Sequence, residues 1–317
     1  MDNRSTLTYH TALEALSAER LVKVYGNGFC ALKGITLSVN SGTVFSLLGR
    51  NGAGKTTFLR IMTTQLLPTS GTGRVLGYDI VKEANDVRKR IAVVPQESKP
   101  MYLLTVEEHV KYYLMMRGFS MNEASEKTRK VLDDLDLKEY ANTLCMKLSG
   151  GLKRKVLVAM AVATEADVIF LDEPTTGLDP IARRLVWDVI NRTAKSGRTI
   201  FLTTHVMGEV EAVADGFALI NDGELVAQGR VEEVQRMLPY KMRAEVQILA
   251  SNPGEFAEFG EVIALGRRLI VYPRNEEESK RLYEYCTEKG LKISFSTVGV
   301  EDVFIRKVFI HGADEER

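Results

Sequence analysis

The sequence predicts an α/β protein in which a parallel-sheet core with crossover helices carries a helical subdomain and is followed by a small α+β domain. Three observations lead there. Between Gly42 and His205, short apolar runs alternate with helical segments, the order that builds parallel strands. A glycine-rich loop stands directly between the buried strand "GTVFSLLG" (42–49) and the helix "KTTFLRIMTTQL" (55–66). Past Val231 the pattern changes to short strands around one polar helix.

The elements follow in chain order. Residues 1–17 read as a polar N-terminal extension, and "AERLVKVYG" and "ITLSV" as strands. "RIAVVPQ" (90–96) is a further strand, and residues 105–145 are helical almost throughout, as "TVEEHVKYYLMMRG" and "MNEASEKTRKVLDDLDL". "DVIFLDEP" is a buried strand, "IARRLVWDVINRTAKSG" a helix stopped by glycine, and "RTIFLTTH" a strand. The main domain is expected over 18–237, with its helical subdomain at about 97–150. The accessory domain is expected over 238–317: strands at "RAEVQILA" and the hairpin "EVIALGRRLIVYPR", a helix at "NEEESKRLYEYCTEKG", a strand at "LKISFSTV" and a last helix at "GVEDVFIRKVFI".

Bulk properties exclude several classes. A chain of 317 residues buries about three quarters of its unfolded surface without staples. Lys plus Arg equals Asp plus Glu, 42 each, so no nucleic-acid partner held by bulk charge is expected. Cys30, Cys145 and Cys286 are widely spaced and form no CxxC, which indicates neither a disulfide framework nor a zinc site and fits a reducing compartment. The N-terminus has no apolar core of the signal-peptide kind. The longest apolar run, "VLVAMAVA" (156–163), is too short to cross a bilayer.

The chemistry lies at strand ends. "GRNGAGKT" fits G-x-x-x-x-G-K-[ST] at Gly49, Gly54, Lys55 and Thr56. Such glycines let backbone N–H groups converge on phosphate, the Lys reaches the β/γ-phosphates and the Thr hydroxyl holds Mg²⁺. Asp172 and Glu173 end an apolar strand, where sites of parallel sheets lie. Asp172 would meet Mg²⁺ through water, and Glu173 would orient or deprotonate an attacking water. His205 ends another strand and reads equally as a structural histidine or a γ-phosphate contact. Gln96 is a polar turn residue or a ligand of Mg²⁺ or water, and Tyr25 is packing or an adenine platform. Asp179 suits the cap of the next helix. "LSGGLKRK" (148–155) offers a second anion site, a Ser–Gly–Gly turn at a helix N-terminus beside Lys153, Arg154 and Lys155.

Tyr25, GRNGAGKT, Gln96, LSGGL, LDEP, GLD and His205 occur in this order, and together they resemble the ATP-binding cassette (ABC) ATPases over about Glu19 to Val231. The resemblance implies a P-loop NTPase cassette that binds ATP and Mg²⁺. It makes Tyr25 the adenine-stacking residue. Gly49, Asn51, Gly52, Ala53, Gly54, Lys55, Thr56 and Thr57 become the Walker A loop. Gln96 becomes the Q-loop glutamine, Asp172 and Glu173 the Walker B pair, Asp179 the D-loop aspartate and His205 the switch histidine. Glu173, His205 and Gln96 would serve catalysis, and Thr56, Gln96 and Asp172 the metal. Ser149, Gly150 and Gly151 belong to the signature motif, which closes over the nucleotide of a second copy. The helical subdomain would receive a separate integral membrane permease, so a cytoplasmic chain on the inner face of the cell membrane is implied. The ending "VGVEDVFIRKV" resembles that of ATPase subunits of two-component (ABC-2 type) exporters. Two positions depart from the family pattern: Leu152 replaces the usual signature Gln, and Arg50 stands where Pro or Ser is common. The alternative is a soluble cassette ATPase acting on ribosomes or chromosomes. Those relatives usually carry two cassettes or a long coiled coil, and this chain shows one cassette and no sustained heptads.

Overall fold

The computed structural model describes residues 14–247 and 253–307. They form two compact units divided between Gln228 and Gly229. The first opens with β1 (Glu14–Val24), β2 (Cys30–Asn40), β3 (Val44–Leu48), α1 (Lys55–Met62), β4 (Ser70–Val75), β5 (Tyr78–Asp79), α2 (Ala84–Arg90) and β6 (Ile91–Val94). It continues through α3 (Val106–Met116), α4 (Met121–Asp134), α5 (Gly150–Ala163), β7 (Val168–Asp172) and α6 (Pro180–Lys195). The last elements are β8 (Thr199–Thr204), α7 (Met207–Val213), β9 (Gly216–Asn221) and β10 (Glu224–Arg230).

The central sheet has the order β10-β9-β3-β8-β7-β6, and the five strands from β9 to β6 pair in parallel. A second sheet, β2-β1-β4-β5, is antiparallel. Every residue of β3, β7 and β8 is buried, because both faces of the central sheet are covered, and such strands read as continuous apolar runs. Their side chains alternate between two cores. Phe45, Phe170 and Phe201 join Phe58 of α1 beneath the antiparallel sheet. Val44, Ile169, Leu171, Ile200 and Leu202 pack against α3, α4, α5 and α6. Phe201 is the hub of the first core, with ring centroids 5.9, 5.8 and 5.6 Å from those of Phe45, Phe58 and Phe170.

Local chemistry sets the helix ends. Thr105 with Glu108 and Ser120 with Glu123 form reciprocal capping boxes that start α3 and α4. The helix expected to run to Leu137 ends at Asp134, since Asp136 takes a left-handed backbone (φ 52°). The helix after the glycine-rich loop stops at Met62 for the same reason, with Thr64 at φ 62°.

The second unit contains α8 (Val234–Met237), β11 (Met242–Gln247), β12 (Gly260–Leu265), β13 (Arg268–Pro273), α9 (Glu276–Glu288), β14 (Lys292–Thr297) and α10 (Val300–Ile305). Its antiparallel sheet has the order β12-β13-β11-β14, with Leu282 and Cys286 of α9 buried on Val246, Leu269 and Val271. The "VEDVF" ending has a structural role in this unit. Asp302 is fully buried and accepts from the Tyr272 hydroxyl at 2.7 Å, Arg243 Nη1 at 3.1 Å and the Gly299 N–H at 2.7 Å. Burial, and then the bond to Asp302, hold the Tyr272 phenol far above its ordinary range.

Two expected boundaries move. Glu14–Ser17, assigned to the extension, lie in β1, where Ala15 and Leu16 are buried and Leu16 pairs with both Val39 and Val75. The division falls at 228/229 in place of 237/238, because α8 packs against α10. Residues 1–13, the end of "RAEVQILA" and the end of the last expected helix lie outside the described residues.

The aromatic hub gives a stability test. Phe201→Ala is expected to destabilise the first unit by about 3–5 kcal/mol through the cavity it leaves. Phe29→Ala, at a side chain 56% exposed, should stay within about 0.5 kcal/mol. Urea denaturation of both variants checks the contrast.

Candidate active site

The parallel strands deliver four loops to the carboxyl edge of the sheet: β3 leads to Gly49, β6 to Gln96, β7 ends on Asp172 and leads to Glu173, and β8 leads to His205. The loop after β3 tolerates little but glycine at two positions. A Cβ on Gly49 would lie 2.3 Å from the Ile220 carbonyl oxygen, and one on Gly54 would lie 2.6 Å from that of Ala31 at φ 110°. Gly54 is also the N-cap of α1 and has no side chain to cap it. The first-turn N–H groups of α1 are thus available to a phosphate. Lys55 folds back over the loop, its Nζ donating to the Gly49 and Arg50 carbonyls at 2.8 and 3.0 Å. Burial holds its pKa below the ordinary lysine range, partly offset by Glu173 and Asp172. Beside this loop, Tyr25 stands just past β1 with its hydroxyl 3.2 Å from Thr57 Oγ1.

Glu173 is the centre of the cluster. Its carboxylate accepts from Gln96 Nε2 at 3.2 Å and Thr176 Oγ1 at 3.1 Å, and it lies 3.9 Å from Lys55 Nζ. His205 Nδ1 is 3.0 Å from the same carboxylate; an ionised carboxylate only accepts, so Nδ1 carries the proton in this bond. The Glu173 backbone has φ 50°, a conformation that costs a non-glycine residue about 1–3 kcal/mol and persists where the surroundings over-determine it. Asp172 is buried, takes a hydrogen bond from Thr203 on Oδ1 and has no protein partner for Oδ2. A buried carboxylate oxygen left open fits a divalent cation carrying water. Lys55, Gln96, Asp172, Glu173 and His205 therefore meet at one place.

The signature residues do not join them. Ser149 caps α5, accepting from the Leu152 N–H at 3.3 Å, and its own O–H remains free to donate. A Cβ on Gly151 would lie 3.3 Å from Leu178 and 3.5 Å from the Gly177 carbonyl, so the motif rests on the turn that leads to Asp179. Asp179 caps α6 through the Ile181 and Ala182 N–H groups at 2.9 and 3.0 Å. The Ala182 N–H foremost, and then that of Ile181, lower its pKa. Among the described residues no hydrogen bond links Ser149, Gly150 or Gly151 to the loop 49–57. Leu152 packs against the core of α3 to α6, which gives the atypical residue an anchoring role.

The basic triplet corrects one expectation. Successive helical residues point about 100° apart, so three in a row cannot face one anion. Lys153 lies 5.4 Å from the Tyr102 ring centroid, Lys155 donates to the Asp136 carbonyl at 3.3 Å, and Arg154 is buried. The turn and the helix N-terminus are left to carry the anion-binding role.

Several residues went unnoticed in the sequence. Glu209 on α7 is buried and accepts from the hydroxyls of Thr175 and Thr204, with Arg183 Nε 3.4 Å away. Thr203 bonds Asp172 and also accepts from the Glu173 N–H at 3.1 Å. The two threonines that end the apolar run "TIFLTT" were the available signal. For Glu209 the signal was one acid four residues beyond His205.

A model of the ABC transporter family matches residues 32–176. The chain is 38% identical over 224 residues to the daunorubicin/doxorubicin resistance ATP-binding protein DrrA of Streptomyces peucetius, covering 71% of this chain and 68% of that one. It is 34% identical over 303 residues to the Nod factor export ATP-binding protein I of Ralstonia nicotianae, covering 92% of each. Among solved structures, a dimeric post-hydrolysis ATP-binding cassette bound to ADP and Pi superposes with a TM-score of 0.63 at 25% identity, over 68% of this chain and 98% of that one. Loop, carboxylate cluster and relatives agree: the chain belongs to the ATP-binding subunits of ABC transporters and is an ABC-type ATPase.

Proposed function

We propose that the chain powers export by a separate membrane permease, working as a head-to-tail pair of copies in which each glycine-rich loop is completed by the other copy's signature motif. The observation that carries the catalytic part is Glu173, held at the end of β7 by Gln96, Thr176 and His205 and facing Lys55. Gly49, Asn51, Gly52, Ala53, Gly54, Thr56 and Thr57 cradle the phosphates of ATP, Lys55 contacts the terminal pair, and Tyr25 stacks on the adenine. Glu173 takes the proton of the attacking water, while Gln96 and His205 fix the carboxylate. Contact of His205 Nε2–H with the γ-phosphate requires the His205–Glu173 bond to open or the ring to carry both protons. Asp172, Thr56 and Gln96 would hold Mg²⁺, which when bound neutralises charge on the β/γ-phosphates.

The paired arrangement is supported by the separation of the Ser149 cap from the chain's own loop, since an O–H at a helix start that makes no hydrogen bond to residues 49–57 among the described residues suits a ligand held by another copy. Export is supported by the name of the second relative above, a Nod factor export ATP-binding protein. Among the described residues no helix is long and apolar enough to cross a membrane. The reading assigns the permease to a separate chain and places this one on its cytoplasmic face. Purifying the chain with its membrane partner and measuring ATP-dependent cargo movement in vesicles tests that reading; a chain that co-sediments only with ribosomes would sink it.

Two variants test the chemistry. Glu173→Gln should keep ATP affinity, lose about 10²–10⁴-fold in kcat, and accumulate as a dimer on size-exclusion chromatography with ATP. Near-normal turnover would remove Glu173 from the general-base role. Lys55→Ala should weaken ATP binding at least about tenfold, read by titration with a fluorescent nucleotide.

Mixing tests the pairing. Lys55→Ala and Ser149→Ala chains should each be slow alone. Their mixed dimer has one doubly defective site and one intact site, so mixing should restore turnover well above either parent. An additive, unrestored rate would show that the signature does not act across the pair.

A further inference from the structure

We propose that Arg154 is a positioning residue that ties the signature helix to the two catalytic loops of its own chain. This rests on the proposed roles of Gln96 and Glu173. The Arg154 guanidinium reaches four backbone carbonyls. Nη1 donates to Pro95 and Gln96 at 3.3 and 3.1 Å, and Nη2 donates to Glu173 at 2.7 Å and to Asp172. One planar group therefore holds the backbone at the ends of both β6 and β7, directly under the Gln96 and Glu173 side chains. The planar guanidinium fork offers two outward nitrogens at fixed spacing, which a single ammonium cannot reproduce.

The environment argues that the residue is kept for this geometry. Arg154 is 7% exposed and forms no ion pair among the described residues. Its Nε is buried without a partner, and burial of an unpaired charge is unfavourable. An orphaned N–H of this kind calls for an explanation. The Glu173 carbonyl it grips belongs to a residue in the left-handed conformation, so the contact fixes a backbone that would otherwise relax. Arg154 also stands in the second turn of α5, five residues after the Ser149 cap. A shift of the signature when a second copy closes would thus be passed to Gln96 and Glu173. Lys153 and Lys155, on other faces of the helix, reach the Tyr102 ring and the Asp136 carbonyl, and among the described residues neither hydrogen-bonds Gln96 or Glu173.

The test compares Arg154→Met and Arg154→Lys with the parent full-length chain, measuring ATP affinity, kcat, KM and thermal unfolding. Arg154→Met should lose roughly 10–100-fold in kcat, as expected for small misplacement of reacting groups, with ATP affinity within about threefold because the glycine-rich loop is untouched. Arg154→Lys should recover part of the rate. In a Gln96→Ala background the effect of Arg154→Met should shrink, because both act through the same loop. The proposal is overturned by a normal kcat in Arg154→Met, by additive losses in the double variant, or by both variants losing ATP affinity and fold together. A normal Arg154→Met beside an inactive Glu173→Gln removes this inference alone. A Glu173→Gln that turns over normally removes the general-base reading and the inference with it.

Discussion

A parallel sheet covered on both faces leaves charge very few places to go, and the organisation of the first unit follows from that. β3, β7 and β8 are buried along their whole length, so polar side chains accumulate where the strands end. The glycine-rich loop, Asp172 with Glu173, and His205 are all products of this exclusion. The antiparallel sheet on one side and the helices on the other are the covers that make it strict. An unpaired buried polar group costs about 1–3 kcal/mol, which is why the cluster at the carboxyl edge is so densely cross-linked.

The cluster is held together against its own preferences. Lys55 and Arg154 are both pushed below their ordinary pKa ranges by burial, with Asp172 and Glu173 pulling the other way. Glu173 sits in a strained backbone conformation, fixed by the Thr203 side chain, the Thr203 carbonyl and Arg154. Thr175, on the loop after β7, and Thr204, the last residue of β8, are joined through Glu209. These contacts stabilise one arrangement of loops that are far apart in sequence. Such over-determination is what a site needs if a carboxylate is to meet a water in one orientation.

The second unit uses the same logic on a smaller scale. Asp302 is buried with Tyr272 and Arg243 around it, and Arg243 also pairs with Glu301 at 2.7 Å. The "VEDVF" ending is thereby explained as a clamp of α10 onto its own sheet. In this chain that ending serves packing, through the Asp302 contacts.

What the sequence determined alone was local: the glycine-rich loop between strand and helix, the acids and histidine at the ends of apolar runs, the Ser–Gly–Gly helix start, the Asp179 cap. Each is written within a few neighbouring residues, through period, turn chemistry and backbone preference. Even the hairpin at 260–273 was legible, because its two strands are adjacent in the chain. What only the tertiary structure decided was which side chains meet. Gln96 and Glu173 are 77 residues apart, and Arg154 and Pro95 are 59 apart; no spacing rule reaches across such gaps. The triplet Lys153–Lys155 shows the limit most plainly. Its composition suggested one basic patch, and the turn of a helix sends its members to a tyrosine ring, four backbone carbonyls and a loop. Direction around a helix is fixed by what packs against it, and that is known only once the chain has closed on itself.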